Sequence, residues 1–163
     1  MNTLRVFDEV VPASVAQVSQ TAIEGLISQY PNDNELPAPK QFLIDCGLLP
    51  YFQDVANRVE EMGPFLRAQI NPTSRLPSVH SHGVENALLY YVREDWQDTW
   101  MGGTIFLNES RTRITGLVDY VSRRIVVIPV GLVHSMLPVT NAVVGRRITI
   151  TAFYGVNNAN SAG

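Results

Sequence analysis

Apolar positions along the chain change their period near residue 64. From Ser14 to Tyr30, Val15, Val18, Ala22, Leu26 and Ile27 recur at three- and four-residue steps. That spacing predicts an amphipathic helix, with Ser14 as its N-cap. From Leu49 to Met62, the residues Phe52, Val55, Val59 and Met62 share one face and predict a second helix, closed by Gly63-Pro64. Ahead of the first helix, LRVF (4–7) reads as a short strand, stopped by Pro12. Between the helices, PNDNELPAPK (31–40) reads as a loop on its proline, asparagine and aspartate content.

Past Pro64 the pattern becomes one of short runs rich in β-branched and aromatic residues, separated by turn residues. Strands are expected at 65–70, 86–93, 103–107, 112–118, 124–129 and 146–154. Many short strands after one or two helices predict an α+β, mainly β chain built on a β-sandwich or double-sheet jelly roll. One domain is expected over 1–163, helical over about 1–63 and β over about 64–155. The small polar tail, NNANSAG, is expected to fray.

Composition narrows the classes. The chain has 163 residues, 45% hydrophobic and 17% charged, which excludes a disordered polymer. No apolar run approaches the ~20 residues of a membrane helix. Asp8 and Glu9 stand where a secretion signal would be apolar, so a cytoplasmic protein without a membrane partner is expected. A net charge of −3 argues against nucleic-acid binding. The single cysteine, Cys46, excludes an intramolecular disulfide and a cysteine-based zinc site. Lying in FLIDCGLL, it reads as a core residue.

The chemistry concentrates in three histidines, His80, His82 and His134. His80 and His82 are two apart, so on an extended segment both point to one face. His134 lies on a segment that can pair beside them. Two ligands at i and i+2 with a distant third form the layout of a facial metal site with open positions.

The ordered segments SVHSHG (78–83), ALLYYVREDW (87–96), WMGGTIFLNE (100–109), SRRIVVIPVGLVHSMLPVT (122–140) and GRRITITAFY (145–154) extend that reading. Together they resemble the Fe(II)- and 2-oxoglutarate-dependent dioxygenases, in particular the prolyl-4-hydroxylase-like branch. The opening LRVFDEVVPASVAQ (4–17) is similar to the strand and helix that begin many such domains. The resemblance implies a double-stranded β-helix (jelly-roll, cupin-like) core with N-terminal flanking helices. It implies Fe(II), 2-oxoglutarate as co-substrate and O2, with ascorbate as an accessory reductant. It also implies hydroxylation of a C–H bond in a small-molecule or peptidyl substrate, with release of succinate and CO2.

By position, His80 matches the first metal histidine and His134 the distal one. Arg147 matches the arginine that holds the far carboxylate of 2-oxoglutarate, a task that suits a guanidinium fork. Thr149 shares its strand face and can add a hydroxyl. Tyr91 matches a tyrosine that helps bind the co-substrate in some members, and Leu89 would line the same face. Packing is the competing role for Tyr90 and Tyr91, and the expected role for Trp96 and Trp100. Of the adjacent Arg146 and Arg147, one must face away.

The sequence also departs from the family pattern. His82 stands where the family has the acid of its H-x-D pair. Three ligand sets follow: His80, His82 and His134 together; a set in which Glu85 supplies the carboxylate; or His82 as first ligand, with Val84 at the acid position. WMGGTIF lacks the glutamate of the family's W-GGET-F, and Ser122-Arg123-Arg124 replaces its P-G-R turn. Two other classes therefore stand beside the dioxygenase. One is a degenerate, non-catalytic jelly-roll binding protein. The other is a three-histidine cupin-type metalloenzyme that does not use 2-oxoglutarate. Segments 71–79 and 31–40 are the expected rims of the site, and exposed strand edges could support a homodimer.

Overall fold

A computed structural model of the chain describes residues 4–73 and 78–157. Nine strands and three helices are laid out in it. The strands are β1 (Arg5–Phe7), β2 (Leu36–Pro37), β3 (Met62–Thr73), β4 (Asn86–Tyr91), β5 (Thr104–Leu107), β6 (Ile114–Val118), β7 (Ile125–Ile128), β8 (His134–Met136) and β9 (Arg147–Val156). The helices are α1 (Ala13–Gln29), α2 (Lys40–Asp45) and α3 (Leu49–Asn57). All strand pairing is antiparallel. One sheet has the order β1-β7-β4-β9-β3-β2, and the other β6-β5-β8. This is the mainly β, jelly-roll architecture that the strand pattern predicts.

Period-two alternation on the large sheet separates two cores. On β9, Ile148, Ile150, Ala152 and Tyr154 pack toward the helices, with Leu88 and Tyr90 of β4 and Ile125 and Val127 of β7. The residues between them point into the jelly roll. There Leu89 and Tyr91 of β4, Val126 and Ile128 of β7 and Phe153 of β9 meet Phe106, Val118 and Tyr120 from the small-sheet side.

The helices differ in detail from their sequence patterns. α1 starts one residue before Ser14; Pro12 precedes it and no side chain caps it. Its buried stripe runs through Ala16, Ser19, Ile23 and Ile27, while Val18 is 62% exposed. The stripe passes through a serine because Ser19 Oγ donates to the Ala16 carbonyl at 2.9 Å, which satisfies its hydroxyl locally. α3 stops at Asn57, although Val59 and Met62 are buried beyond it. Gly63-Pro64 does not close a helix. It lies in the irregular start of β3, where the register against β9 shifts between Met62 and Phe65. Proline lacks an N–H for the ladder, so a bulge suits it there.

Helix α2 has no counterpart in the sequence reading. It begins after Pro39 and ends in a Schellman turn: Leu48 N donates to Leu43 O at 2.9 Å and Gly47 N to Ile44 O at 3.0 Å. Gly47 takes φ +77°, the left-handed conformation that favours glycine at this position. Cys46 is buried, as its apolar setting predicts. Strand β8, three residues long, has no counterpart there either. Of the tail, only Asn157 lies within the described residues, and its N–H donates to Glu61 O at 3.0 Å. Among the described residues, no helix is long and apolar enough to cross a membrane.

Candidate metal and co-substrate site

The three histidines meet in the wall of a cavity of about 1030 Å³. The main chain brings two of them together. His80 N donates to His134 O at 3.0 Å and His134 N to His80 O at 2.9 Å, so two segments distant in sequence pair at the ligand positions themselves. β8 is held in turn by β5, with Phe106 opposite His134. The backbone of His82 is fixed by Gly131 N, which donates to its carbonyl at 3.0 Å. The rings converge: His80 and His134 centroids lie 4.4 Å apart, and those of His82 and His134 4.8 Å. One candidate ligand nitrogen from each residue lies within 4.8 Å of the other two.

Their protonation suits a cation. His134 Nδ1 lies 2.8 Å from Leu132 O and His80 Nδ1 lies 3.1 Å from Ser78 O. A carbonyl only accepts, so each Nδ1 carries the proton, and in a neutral ring the lone pair is on Nε2. Such carbonyl contacts orient ring ligands around metals. Burial, then repulsion from His134, His80 and Arg67, pushes the pKa of His82 down to about 3. Burial, together with His80, pushes that of His134 down to about 4, against the Leu132 hydrogen bond that raises it. His82 Nδ1 is buried and has no hydrogen-bond partner. Three convergent imidazoles, two of them held neutral by burial and one with an orphaned nitrogen, fit a divalent metal ion.

A stability prediction follows for the metal-free protein. The unfolded chain takes up protons at both histidines near pH 6.5, whereas the folded chain does so only near pH 4 and 3. Between those values the unfolded state binds more protons, so stability rises with pH. Their contribution is complete above pH 6.5 and is lost as the pH falls toward 4 and below. Urea unfolding of the chelator-treated protein across that range checks the slope. A flat profile would mean that the two rings are not held neutral by the fold.

Glu85 is not part of the histidine group. Its carboxylate accepts from Arg67 Nη2 at 2.7 Å, and Arg67 also lies 3.7 Å over the Phe153 ring. Val84, at the acid position of the third ligand set, is 80% exposed.

The same cavity is lined by Arg147, 4% exposed. Its Nε donates to the Gly102 carbonyl. Its guanidinium carbon lies 5.6 Å from the Tyr91 ring centroid and 5.7 Å from that of Tyr120. Burial lowers its pKa, Tyr91 and Tyr120 oppose that shift, and no carboxylate among the described residues does so. A buried arginine without an acid partner is costly unless an anion joins it. Thr149, 1% exposed, and Leu89 also line the cavity.

Tyr91 does not line the cavity. Its hydroxyl pairs with Thr104 Oγ1 at 2.8 Å and its ring supports Arg147. Arg146 is half-buried and does not line the cavity; its Nη2 donates to the Pro31 carbonyl. Trp96 stacks on Tyr120 at 4.3 Å and packs edge-on against Trp100, as their expected packing role requires.

The glycine pair of WMGGTIF lies beside Arg147, which donates to the Gly102 carbonyl. A Cβ on Gly103 would lie 2.3 Å from the Val118 carbonyl oxygen, so β5 can start beside that backbone only with glycine there. The sequence reading does not single out several lining residues, notably Gln69, Thr104 and Thr151. The alternation that links Arg147 to Thr149 reaches Thr151 one step later, and the same rule on β3 reaches Gln69 and Asn71. Both expected rim segments contribute lining residues, 32–35 from one and Asn71, Thr73 and Ser78 from the other; residues 74–77 lie outside the described part.

No protein-family model matches the chain, and no curated protein matches it in sequence. Solved structures do match. The fold is that of the prolyl-4-hydroxylase-like Fe(II)- and 2-oxoglutarate-dependent oxygenases, as the sequence resemblance implies. AviO1 from Streptomyces viridochromogenes Tue57 superposes with a TM-score of 0.69 at 15% identity, covering 96% of this chain and 90% of that one. A prolyl-4-hydroxylase from Pseudomonas putida gives 0.65 at 15% identity, covering 94% and 88%. HygX from Streptomyces hygroscopicus, solved with nickel and 2-oxoglutarate bound, gives 0.67 at 11% identity, covering 93% and 81%.

Proposed function

We propose that this chain is an Fe(II)- and 2-oxoglutarate-dependent oxygenase that hydroxylates a C–H bond of its substrate. His80, His82 and His134 would hold the metal, and Arg147 and Thr149 the far carboxylate of 2-oxoglutarate. The observation that carries the reading is a single cavity lined both by three convergent imidazoles and by a buried arginine without an acid partner among the described residues. When bound, iron with 2-oxoglutarate and O2 supplies the oxidative decarboxylation that yields succinate, CO2 and the hydroxylated substrate.

The chain's own residues divide the remaining tasks. Leu132 and Ser78 carbonyls keep two histidines in the tautomer that presents Nε2. Tyr91, Tyr120 and the Gly102 carbonyl hold Arg147 in place before any ligand arrives. That preorganisation lowers the cost of ordering on binding. Thr149 offers a hydroxyl beside it, and Leu89 helps keep water from the cavity wall. With three neutral ligands the metal keeps its +2 charge, so the dianionic keto acid brings the site to neutrality. A carboxylate ligand would have left it at −1.

The lack of a carboxylate in the histidine group favours one second reading, a three-histidine metalloenzyme that works without a keto acid. That reading leaves Arg147 without a task. The deciding experiment is an anaerobic titration with Fe(II) and 2-oxoglutarate. A visible metal-to-ligand charge-transfer band that saturates at one keto acid per chain is expected. Folded protein that binds Fe(II) yet shows no band would exclude chelated 2-oxoglutarate and leave the second reading.

A further inference from the structure

His82 is held differently from the other two histidines. The rings of His80 and His134 each place Nδ1 on a main-chain carbonyl, whereas His82 Nδ1 has no hydrogen-bond partner among the described residues. A neutral imidazole offers one lone pair, from one nitrogen, so rotation about its side-chain bonds turns it away from a metal. A carboxylate, with two equivalent oxygens, tolerates such a rotation better. A histidine at the family's acid position therefore needs its ring fixed by other contacts.

Besides the other two histidine rings, Phe153 meets the His82 ring, with centroids 5.0 Å apart and 47° between the planes. Phe153 is 4% exposed and belongs to the core inside the jelly roll, so its ring is a fixed surface. Arg67 on β3 is its cross-strand partner, and that pairing sets the guanidinium carbon 3.7 Å over the Phe153 ring. The same guanidinium donates from Nη2 to Glu85 Oε2 at 2.7 Å. Glu85 follows His82 by three residues and directly precedes β4. These contacts close a circuit. It runs from His82 along the main chain to Glu85, across to Arg67, onto Phe153 and back to the His82 ring.

Resting on the reading of His82 as a metal ligand, we infer that Glu85, Arg67 and Phe153 form a positioning stack that holds the His82 ring in its ligating orientation. The stack does by packing what the Leu132 and Ser78 carbonyls do for the other two rings by hydrogen bonding. Its effect is opposite in sign to that of simple electrostatics. A guanidinium near a metal ion repels it, so on charge alone the loss of Arg67 would tighten metal binding. Loss of the stack instead loosens it, because the ring must then be ordered when the metal arrives. The Arg67 side chain is half-exposed, so its truncation opens no cavity in the core.

Co(II) titration of the full chain tests this without turnover. Arg67→Ala and Glu85→Ala are each expected to lower Co(II) affinity roughly tenfold, the low end of the 10–100-fold that outer partners of a metal ligand contribute. Phe153→Leu should lose more; if that buried position does not tolerate the change, the half-exposed Arg67 still decides. Glu85→Gln keeps an acceptor for Arg67 and should bind as the parent does. In proton spectra of the Co(II) protein, the hyperfine-shifted signals lost in His82→Ala belong to that ring. Those signals should move in Arg67→Ala while the signals of the other two rings stay in place. Carbon-13 relaxation of the metal-free protein is expected to show the His82 ring as ordered as that of His134, and mobile in Arg67→Ala. Arg67→Ala protein that binds Co(II) at least as tightly as the parent would overturn the inference. So would an equal displacement of all three rings, which marks a general loosening. Parent protein that binds no Co(II), with a His82 ring ordered only while Arg67 is present, would count against the metal reading alone.

Discussion

Replacing His134 by alanine is expected to weaken Fe(II) binding by more than about 100-fold, since disturbing a ligand's outer partner alone costs 10–100-fold. The fold should survive. The two main-chain hydrogen bonds between residues 80 and 134 do not involve the ring. The substitution does leave the Leu132 carbonyl without its imidazole partner, at a cost of about 1–3 kcal/mol. Calorimetric titration with Fe(II), and with Co(II) as a coloured substitute, measures the affinity, while far-ultraviolet circular dichroism checks the fold. A loss of less than about tenfold would remove His134 from the ligand set. The parallel Glu85→Gln variant should bind metal normally, because its carboxylate is engaged by Arg67.

The second large effect is expected at Arg147. Truncating one partner of a buried charge pair costs about 2–5 kcal/mol, which is roughly 30-fold to several thousand-fold in affinity. Arg147→Met should therefore raise the 2-oxoglutarate concentration needed for the charge-transfer band by that factor and leave Fe(II) affinity unchanged. Arg147→Lys should recover little. An ammonium cannot donate to Gly102 while presenting a planar fork to a carboxylate. Normal keto-acid affinity in Arg147→Met would mean that the far carboxylate is held elsewhere. Oxygen consumption that persists in that variant without 2-oxoglutarate would favour the keto-acid-free enzyme.

Much of this was legible in the chain because β structure writes its faces in steps of two. His80 with His82, and Arg147 with Thr149, are each two residues apart, and each pair borders one cavity. The tie between His80 and His134 was within reach as a pairing of two extended segments. Short elements were not legible. Six residues of α2 and three of β8 give too few repeats to establish a period, and what ends α2 is the conformation of Gly47. The apolar period of α1 does not mark its buried face, because Ser19, a polar residue, occupies it and Val18 does not. The place of Tyr91 beneath Arg147 depends on how two sheets stack, which no single strand encodes.

Strand β9 has a consequence for how the protein is made. It is the last of the described strands, yet it sits between β4 and β3 near the middle of the large sheet. During synthesis β3 and β4 leave the ribosome long before their shared partner. Until it arrives, each keeps an open edge of unpaired backbone groups, the kind of edge that recruits other chains. The nascent chain therefore cannot complete its main sheet vectorially. Its solubility in the cell rests on how quickly residues 147–156 insert, and chaperone demand should peak just before they do.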